Sequence, residues 1–160
     1  MLLALVLAAA LAGDSQEAFK RMQSLQGTWK GTVQWTGAIT RKGEMGARYR
    51  VTGKGSALIE DLLDGDEPVM TSVYHLDNRD LRVTHYCGAQ NQPRLRAALI
   101  DLPRGVVRFD FVDITNLSAP DAPHVHGLTL HLVDDDHLEL EFAFTARGKE
   151  SVEHISLTRS

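Results

Sequence analysis

The residues with the clearest chemical potential are an imidazole and a thiol two positions apart, His85 and Cys87. Side chains at this spacing point to the same face of a β-strand. An imidazole and a thiol on one face can bind a metal ion, haem or a polar group of a ligand. The alternative is a hydrogen-bonded core histidine beside a small buried cysteine, with Asn91, Gln92 and Arg94 tying the following loop together.

A second pair, His124 and His126, has the same spacing, and its face continues through Leu128. Two imidazoles beside His85 would form a three-nitrogen metal site. The other interpretation is a solvated pair at the entrance of a strand, because Pro123 favours a loop at this point. The sequence leaves the question of a metal open.

A nucleophilic enzyme is not expected. Residues two positions apart on a strand are separated by about 6.6 Å at the backbone, and nothing in the sequence supplies a third group to orient a pair formed by Cys87 and His85. The acidic run Asp134-Asp135-Asp136 lacks the glycine and the regular ligand spacing of a calcium loop, so we interpret it as a polar turn. We therefore predict a protein that is not an enzyme, and we assign no cofactor.

Composition indicates one folded domain. The chain has 160 residues, of which 43% are hydrophobic, and this length is sufficient to bury a core without disulfides. Its 17 Lys and Arg residues against 21 Asp and Glu residues give a formal charge of -4, and no basic run is present that could neutralise a row of phosphates. Nucleic acid is not an expected partner, and the single cysteine, Cys87, excludes an intrachain disulfide.

The first twelve residues are uncharged and apolar, and they end in Ala10-Leu11-Ala12. This pattern is typical of a signal peptide with an Ala-x-Ala cleavage site. The segment is shorter than the roughly 20 apolar residues of a membrane-spanning helix. We predict a signal peptide over residues 1–12 and a periplasmic or secreted domain over 13–160; a buried N-terminal helix is the alternative.

The elements that must position these groups are almost all strands. Residues 14–25 carry apolar side chains at helical spacing, which predicts a short amphipathic helix. After Gly27 the period changes to two; Trp29, Val33 and Trp35, for example, share one face of the first strand. Breaks at turn-forming residues recur about every ten positions. This pattern predicts nine or ten strands.

The clearest hairpin joins residues 69–76 to residues 81–86. If Asn78-Arg79 is its two-residue turn, three cross-strand pairs follow: Leu76 with Leu81, Tyr74 with Val83, and Ser72 with His85. The same inward face is predicted to continue through later strands at Leu95, Ala97, Leu99, Val107, Phe109, Phe111, Leu128, Leu130, Leu132, Leu138, Leu140, Phe142 and Phe144. No second helix of ordinary length interrupts these strands, and closing the sheet removes its exposed edges. We predict an all-β fold, an antiparallel up-and-down barrel of nine or ten strands preceded by a short N-terminal helix.

The segment Gly27-Thr28-Trp29, between the helix and the first strand, resembles the Gly-x-Trp signature of the calycins, the superfamily of lipocalins and fatty-acid-binding proteins. The last strand, with Arg159 near its end, looks like the calycin ending in which a terminal arginine covers that tryptophan. The resemblance implies that Trp29 closes one end of the barrel and that Arg159 lies across its ring in a cation–π contact.

Two further resemblances concern function. Thr84-His85-Tyr86-Cys87 and Asn91-Gln92-Pro93-Arg94 are similar to segments of uncharacterised, lipocalin-like bacterial exported proteins. The Gly-x-Trp-x-Gly start over 27–31 is similar to the nitrobindin type of haem-binding barrel, which implies a histidine ligand near the C-terminus. His154 is the nearby candidate, and strand alternation predicts it on the face opposite Ile155.

Three functions therefore stand as hypotheses. The first is an exported barrel that binds a small hydrophobic or amphipathic molecule among these predicted ligand-binding residues: Trp35, Tyr49, Tyr74, His85, Cys87, Arg94, Phe109, His126 and Phe142. The second is a haem or metal protein that uses His85, His126 or His154. The third is a structural barrel of the cell envelope, filled by its own side chains. No membrane span is expected in any of them.

Overall fold

In the computed structural model, residues 14–160 are described; the predicted signal peptide over 1–12 lies outside them. Helix α1 covers 14–23 and is followed by ten strands that form a closed antiparallel barrel. The strands are β1 (Gly27–Gly37), β2 (Arg41–Thr52), β3 (Ala57–Asp64), β4 (Glu67–Asp77), β5 (Asp80–Tyr86), β6 (Gln92–Asp101), β7 (Val106–Thr115), β8 (His124–Leu132), β9 (His137–Ala146) and β10 (Lys149–Arg159). The predicted fold class is confirmed.

The barrel has up-and-down order. Each strand pairs with its neighbours in sequence, and β1 pairs with β10 to close the sheet. The predicted β4–β5 register is confirmed at all three pairs: Leu76 with Leu81, Tyr74 with Val83, and Ser72 with His85. Asn78 adopts φ 54°, a left-handed conformation that asparagine tolerates in such a tight turn.

Helix α1 covers the end of the barrel where β1 begins. Its apolar face buries Ala18, Phe19 and Met22 against the core, as the helical spacing predicts. Trp29 is fully buried there, and its indole N–H donates a 2.8 Å hydrogen bond to the Leu25 carbonyl. This end is therefore closed by side chains. Within residues 14–160, no helix combines the length and the apolar character needed to cross a bilayer.

The barrel interior next to this end is packed with large side chains. Those of Trp29, Tyr49, Tyr74, Phe109 and Phe142 are each no more than 1% exposed. Aromatic pairs cross the interior, with ring centroids of Tyr74 and Phe109 5.9 Å apart. Leucines from most of the strands fill the remaining space. This part of the barrel is occupied by its own residues.

Two residues predicted to face inward are exposed instead. Leu99 is 44% exposed because a bulge between Ala97 and Leu99 shifts the β6 register by one residue and reverses the alternation. Phe111 is 41% exposed, and the pairing of β7 with β8 ends one residue before it, at Asp110. The inward assignment of Leu99 is therefore wrong, whereas Phe111, the cross-strand partner of the buried Leu95, keeps the predicted face without being buried.

Candidate functional site

A cavity of about 660 Å³ lies at the end of the barrel opposite Trp29. It is bordered by the β1–β2, β3–β4 and β5–β6 connections and is open to solvent. Much of its lining is apolar and comes from five strands: Val33, Trp35, Met45, Met70, Val125 and Phe144. This volume lies within the roughly 300–1,000 Å³ range of small-molecule sites. The barrel is therefore filled at one end and hollow at the other.

Trp35 forms one wall of the cavity. Its ring makes an edge-to-face contact with Phe144, with centroids 5.4 Å apart. The guanidinium of Arg41, its cross-strand partner on β2, lies 5.6 Å from its centroid on the cavity rim. The buried Trp35 Nε1 has no hydrogen-bond partner among the described residues. This N–H is close enough to the Glu153 carboxyl to lower its pKa but makes no hydrogen bond of good geometry with it, so it keeps capacity for a better-placed acceptor.

Glu153 is a carboxylic acid on the inward face of β10. Its cross-strand partners are Trp35 on β1 and Phe142 on β9, and it is 2% exposed. Its Oε1 makes no hydrogen bond with any residue in the described part of the chain. Burial raises the pKa of Glu153 to about 7, while the charge of Arg41 and the nearby Trp35 N–H oppose this rise. The group therefore changes protonation state near neutral pH.

A row of polar side chains crosses four neighbouring strands below the cavity. Tyr49, Glu60, Ser72 and His85 are successive cross-strand partners on β2 to β5. The Tyr49 hydroxyl donates to Glu60 Oε2 at 2.7 Å, the Tyr74 hydroxyl donates to the same oxygen at 3.0 Å, and Ser72 Oγ lies 2.9 Å from His85 Nδ1. Burial raises the pKa of Glu60, and the hydrogen bonds it accepts oppose the rise. The row is part of the packed interior.

His85 and Cys87 share one face of the chain, as predicted, but occupy different environments. His85 is fully buried with its ring 5.0 Å from Phe142, and burial lowers its pKa to about 4. Cys87 lines the cavity, and burial raises the pKa of its thiol. The loop after Cys87 is tied by Asn91, which donates from Nδ2 to the Pro123 carbonyl at 2.8 Å. The histidine therefore matches the core interpretation, whereas the thiol is part of the cavity wall.

The structure places the predicted ligand-binding residues in different environments. Trp35 and Cys87 line the cavity, whereas Tyr49, Tyr74, His85, Phe109 and Phe142 lie in the packed interior and do not line it. Arg94 is on the outer surface in a bidentate pair with Asp113. The inward-facing residues are absent from the cavity wall because they lie deeper in the barrel. The side chains of Tyr49, Tyr74, Phe109 and Phe142 fill its middle.

The inward orientation predicted for His126 is wrong. A bulge between Val125 and Gly127 shifts the alternation by one residue, so that Val125 is buried and His126 lies outside. His126 Nε2 is 2.6 Å from Glu150 on the outer surface. His126 and His85 thus lie on opposite faces of the wall, and the predicted three-nitrogen site is not assembled.

The other histidines do not form a metal site within residues 14–160. His154 is on the outer face, as alternation predicts, with Nδ1 3.1 Å from Glu141. No group of three or more His, Cys, Asp or Glu side chains among the described residues is arranged to hold a metal ion.

Sequence reasoning missed Glu153 and Arg41. The signal for Glu153 was present, because period-two alternation in β10 puts it on the face of Ile155 and Leu157, where an acid is unusual. Glu60 carries the same signal between Leu58 and Leu62 of β3. Arg41 lies at the start of β2, where no alternation precedes it.

Comparisons with known proteins support the fold. No protein-family model and no curated protein matches the chain. Two solved structures are similar: a protein of unknown function from the DUF3598 family of Nostoc punctiforme, with TM-score 0.59 and 15% identity, and Rv2717c from M. tuberculosis, with TM-score 0.55 and 16% identity. The first match covers 87% of this chain and 48% of the other, so this chain spans about half its length; the second covers 89% and 97%. A closed ten-stranded barrel also fits a calycin-like fold.

Proposed function

We propose that this protein is a non-catalytic binding barrel that takes a small amphipathic molecule into the cavity beside Trp35. The observation that carries the proposal is the combination of an apolar lining with two buried polar atoms, Trp35 Nε1 and Glu153 Oε1, to which residues 14–160 supply no well-formed hydrogen bond. Unpaired buried polar atoms each cost about 1–3 kcal/mol, and a ligand that bonds them recovers part of that cost. Apolar walls with a few polar groups are typical of ligand sites.

The filled structural barrel accounts for the interior around Tyr74 but not for the open end. A barrel filled by its own side chains does not account for a cavity of about 660 Å³ with the Glu153 carboxyl in its wall. The location of His154 on the outer face, paired with Glu141, does not favour haem binding in the barrel.

We also propose that the protein acts after export. The support is the apolar segment 1–12 with its Ala10-Leu11-Ala12 ending. Ligand capture by a small barrel suits such a compartment, since a carrier protects an apolar molecule from water during transfer.

The cavity is tested with the fluorescent probe 1-anilinonaphthalene-8-sulfonate and two matched variants. Gly88 lines the cavity, and a Cβ added there meets only Met70 Cγ, at 3.9 Å. Gly88→Phe should therefore place a ring in the cavity and reduce its volume without strain, whereas Thr32→Phe adds a similar ring to the outer face of β1, where Thr32 is exposed.

We expect one probe molecule per chain by native mass spectrometry and fluorescence titration. Gly88→Phe should weaken binding at least tenfold, while Thr32→Phe should leave it unchanged. Equal binding by both variants and the wild type, or no binding by any of them, would contradict the proposal.

A further inference from the structure

The head-group end of the cavity points to one chemical class of ligand. We infer that the cavity binds an amphipathic carboxylate, held by Trp35 Nε1, the Arg41 guanidinium and a protonated Glu153, and that one proton is taken up with it. This inference rests on the proposed binding function and specifies its ligand class.

The first step is the position of the two unpaired groups. Trp35 and Glu153 are direct cross-strand partners on β1 and β10, and both line the cavity. They are 9% and 2% exposed, so bulk water does not satisfy them freely. A ligand group that meets both must accept a hydrogen bond from the indole N–H and also form a hydrogen bond with the carboxyl group.

The second step is to compare candidate head groups. An ammonium group can donate to Glu153 but cannot accept from Trp35 Nε1, and the Arg41 charge would repel it. A hydroxyl can bond both groups, but it is neutral and so forms no ion pair with Arg41. A carboxylate accepts from the indole and the guanidinium, and its charge is compensated by Arg41. Two ionised carboxylates would repel each other at this distance. The ligand carboxylate therefore binds next to Glu153 only when Glu153 is protonated and can donate a hydrogen bond to it.

The third step concerns the charges around Glu153. Its cross-strand partners, Trp35 and Phe142, carry no charge at any physiological pH. Cys87 is neutral at physiological pH because burial raises its pKa. Two cations and two anions line the rest of the rim: Arg41, Lys42, Glu44 and Asp64.

Arg41 is the charge that acts on Glu153, and the pKa of this acid, about 7, makes its protonation accessible near neutral pH. Carboxylate binding should therefore weaken as pH rises above 7, because a smaller fraction of the protein carries the proton. The expected loss between pH 6 and pH 8 is about tenfold.

The test compares three ligands with the same chain length, decanoate, decylammonium and decan-1-ol, below their micellar concentrations, by calorimetry and tryptophan fluorescence. Decanoate should bind at least tenfold more tightly than the other two at pH 6. Calorimetry at pH 8 in buffers of different ionisation enthalpy should show uptake of close to one proton per bound decanoate.

Two variants separate the roles. Glu153→Gln should bind decanoate equally at pH 6 and pH 8 and take up no proton, because an amide permanently supplies the N–H that the protonated acid offers. Arg41→Met should weaken decanoate at least fivefold while leaving decan-1-ol unaffected. Glu139→Gln, which removes an exposed outer carboxylate on β9, is the control and should keep the wild-type pH dependence.

A preference for decylammonium, pH dependence that persists in Glu153→Gln, or equal binding of decanoate and decan-1-ol would overturn the inference. If the naphthalene probe binds in the cavity and none of the three decyl compounds does, the head-group inference fails while the binding function stands. If the probe fails as well, both fail.

Discussion

The guanidinium carbon of Arg159 lies 4.3 Å from the centroid of the Trp29 ring, at the end of the barrel that helix α1 closes. The same guanidinium donates to three backbone carbonyls, those of Ser24, Gln26 and Asp135, at 2.9–3.1 Å. One side chain therefore joins the segment after α1, the first strand and the β8–β9 turn. This arrangement is the one that the calycin resemblance implies for these two residues.

Replacing Arg159 with methionine should destabilise the fold. The variant loses a cation–π contact worth about 1 kcal/mol and three charge-assisted hydrogen bonds in a partly exposed setting, so we expect a loss of about 2–3 kcal/mol in the free energy of unfolding. Urea denaturation followed by far-ultraviolet circular dichroism measures it. Arg104→Met, which removes a side chain that is 82% exposed, is the control and should change stability by less than about 0.5 kcal/mol. Equal effects of the two substitutions would contradict the role given to Arg159.

Gly31 is required by close backbone approach. A Cβ placed there would lie 1.8 Å from the Ser156 carbonyl oxygen on β10, so a side chain forces β1 and β10 apart. Gly31→Ala should cost about 3 kcal/mol of unfolding free energy or prevent folding. Gly43→Ala, where the added Cβ meets only Val33 Cγ1 at 3.9 Å, should be tolerated. Thermal unfolding of both variants is the measurement. A stable Gly31→Ala protein would contradict the close approach of β1 to β10 at Gly31.

Much of the architecture follows from local patterns, because alternation and turn chemistry act over a few residues. The register of Tyr74 with Val83 depends only on a two-residue turn and was predictable. The positions of the bulges that expose Leu99 and His126 were not predictable from local patterns. A bulge adds one residue to a strand where the barrel as a whole must bend, and that position does not depend on neighbouring residues alone.

The site was predictable only in part for a related reason. Alternation identifies which residues face inward, such as Trp35 and Tyr49, but not how deep in the barrel each lies. The depth of a residue depends on how many large side chains fill the middle of the barrel. Around Tyr49, large buried side chains such as Trp29 leave no room for a ligand. The cavity therefore involves residues near the other strand ends, including Glu153, whose acidic side chain broke the apolar pattern.

Cleavage of the predicted signal peptide is directly measurable. If the protein is expressed with its native N-terminus in a bacterium, the species recovered from the periplasm or medium should begin at Gly13, since cleavage is expected after Ala12. Intact mass spectrometry of the fractionated protein determines this. A full-length chain recovered only from the cytoplasm would contradict export.

Glu153 should make the fold less stable as pH rises. Its pKa is about 7 in the folded protein and near 4.5 when unfolded, so the folded state binds the proton more tightly. The stability this provides is complete below pH 4.5 and is lost as pH rises through 7, a change of about 3 kcal/mol. Glu153→Gln should therefore be more stable than the wild type at pH 8 by about that amount, with the difference shrinking towards pH 4.5. Urea unfolding at pH 4.5, 6 and 8 tests this, and a difference independent of pH would refute it.

His85 should act in the opposite direction over nearly the same range. Burial lowers its pKa to about 4 from about 6.5, so the unfolded chain takes up a proton that the folded protein resists. The resulting stability is present above pH 6.5 and is lost as pH falls through 4, again about 3 kcal/mol. Because the two contributions oppose each other, the wild type should show a shallow stability profile between pH 4.5 and 6.5.

His85→Gln removes the histidine contribution, so the stability of this variant should rise as pH falls across this interval. Glu153→Gln removes the glutamate contribution, so that variant should lose stability as pH falls there. Urea midpoints measured for both variants at half-unit pH steps distinguish these slopes, and parallel profiles would show that His85 is not protected from protons by the fold.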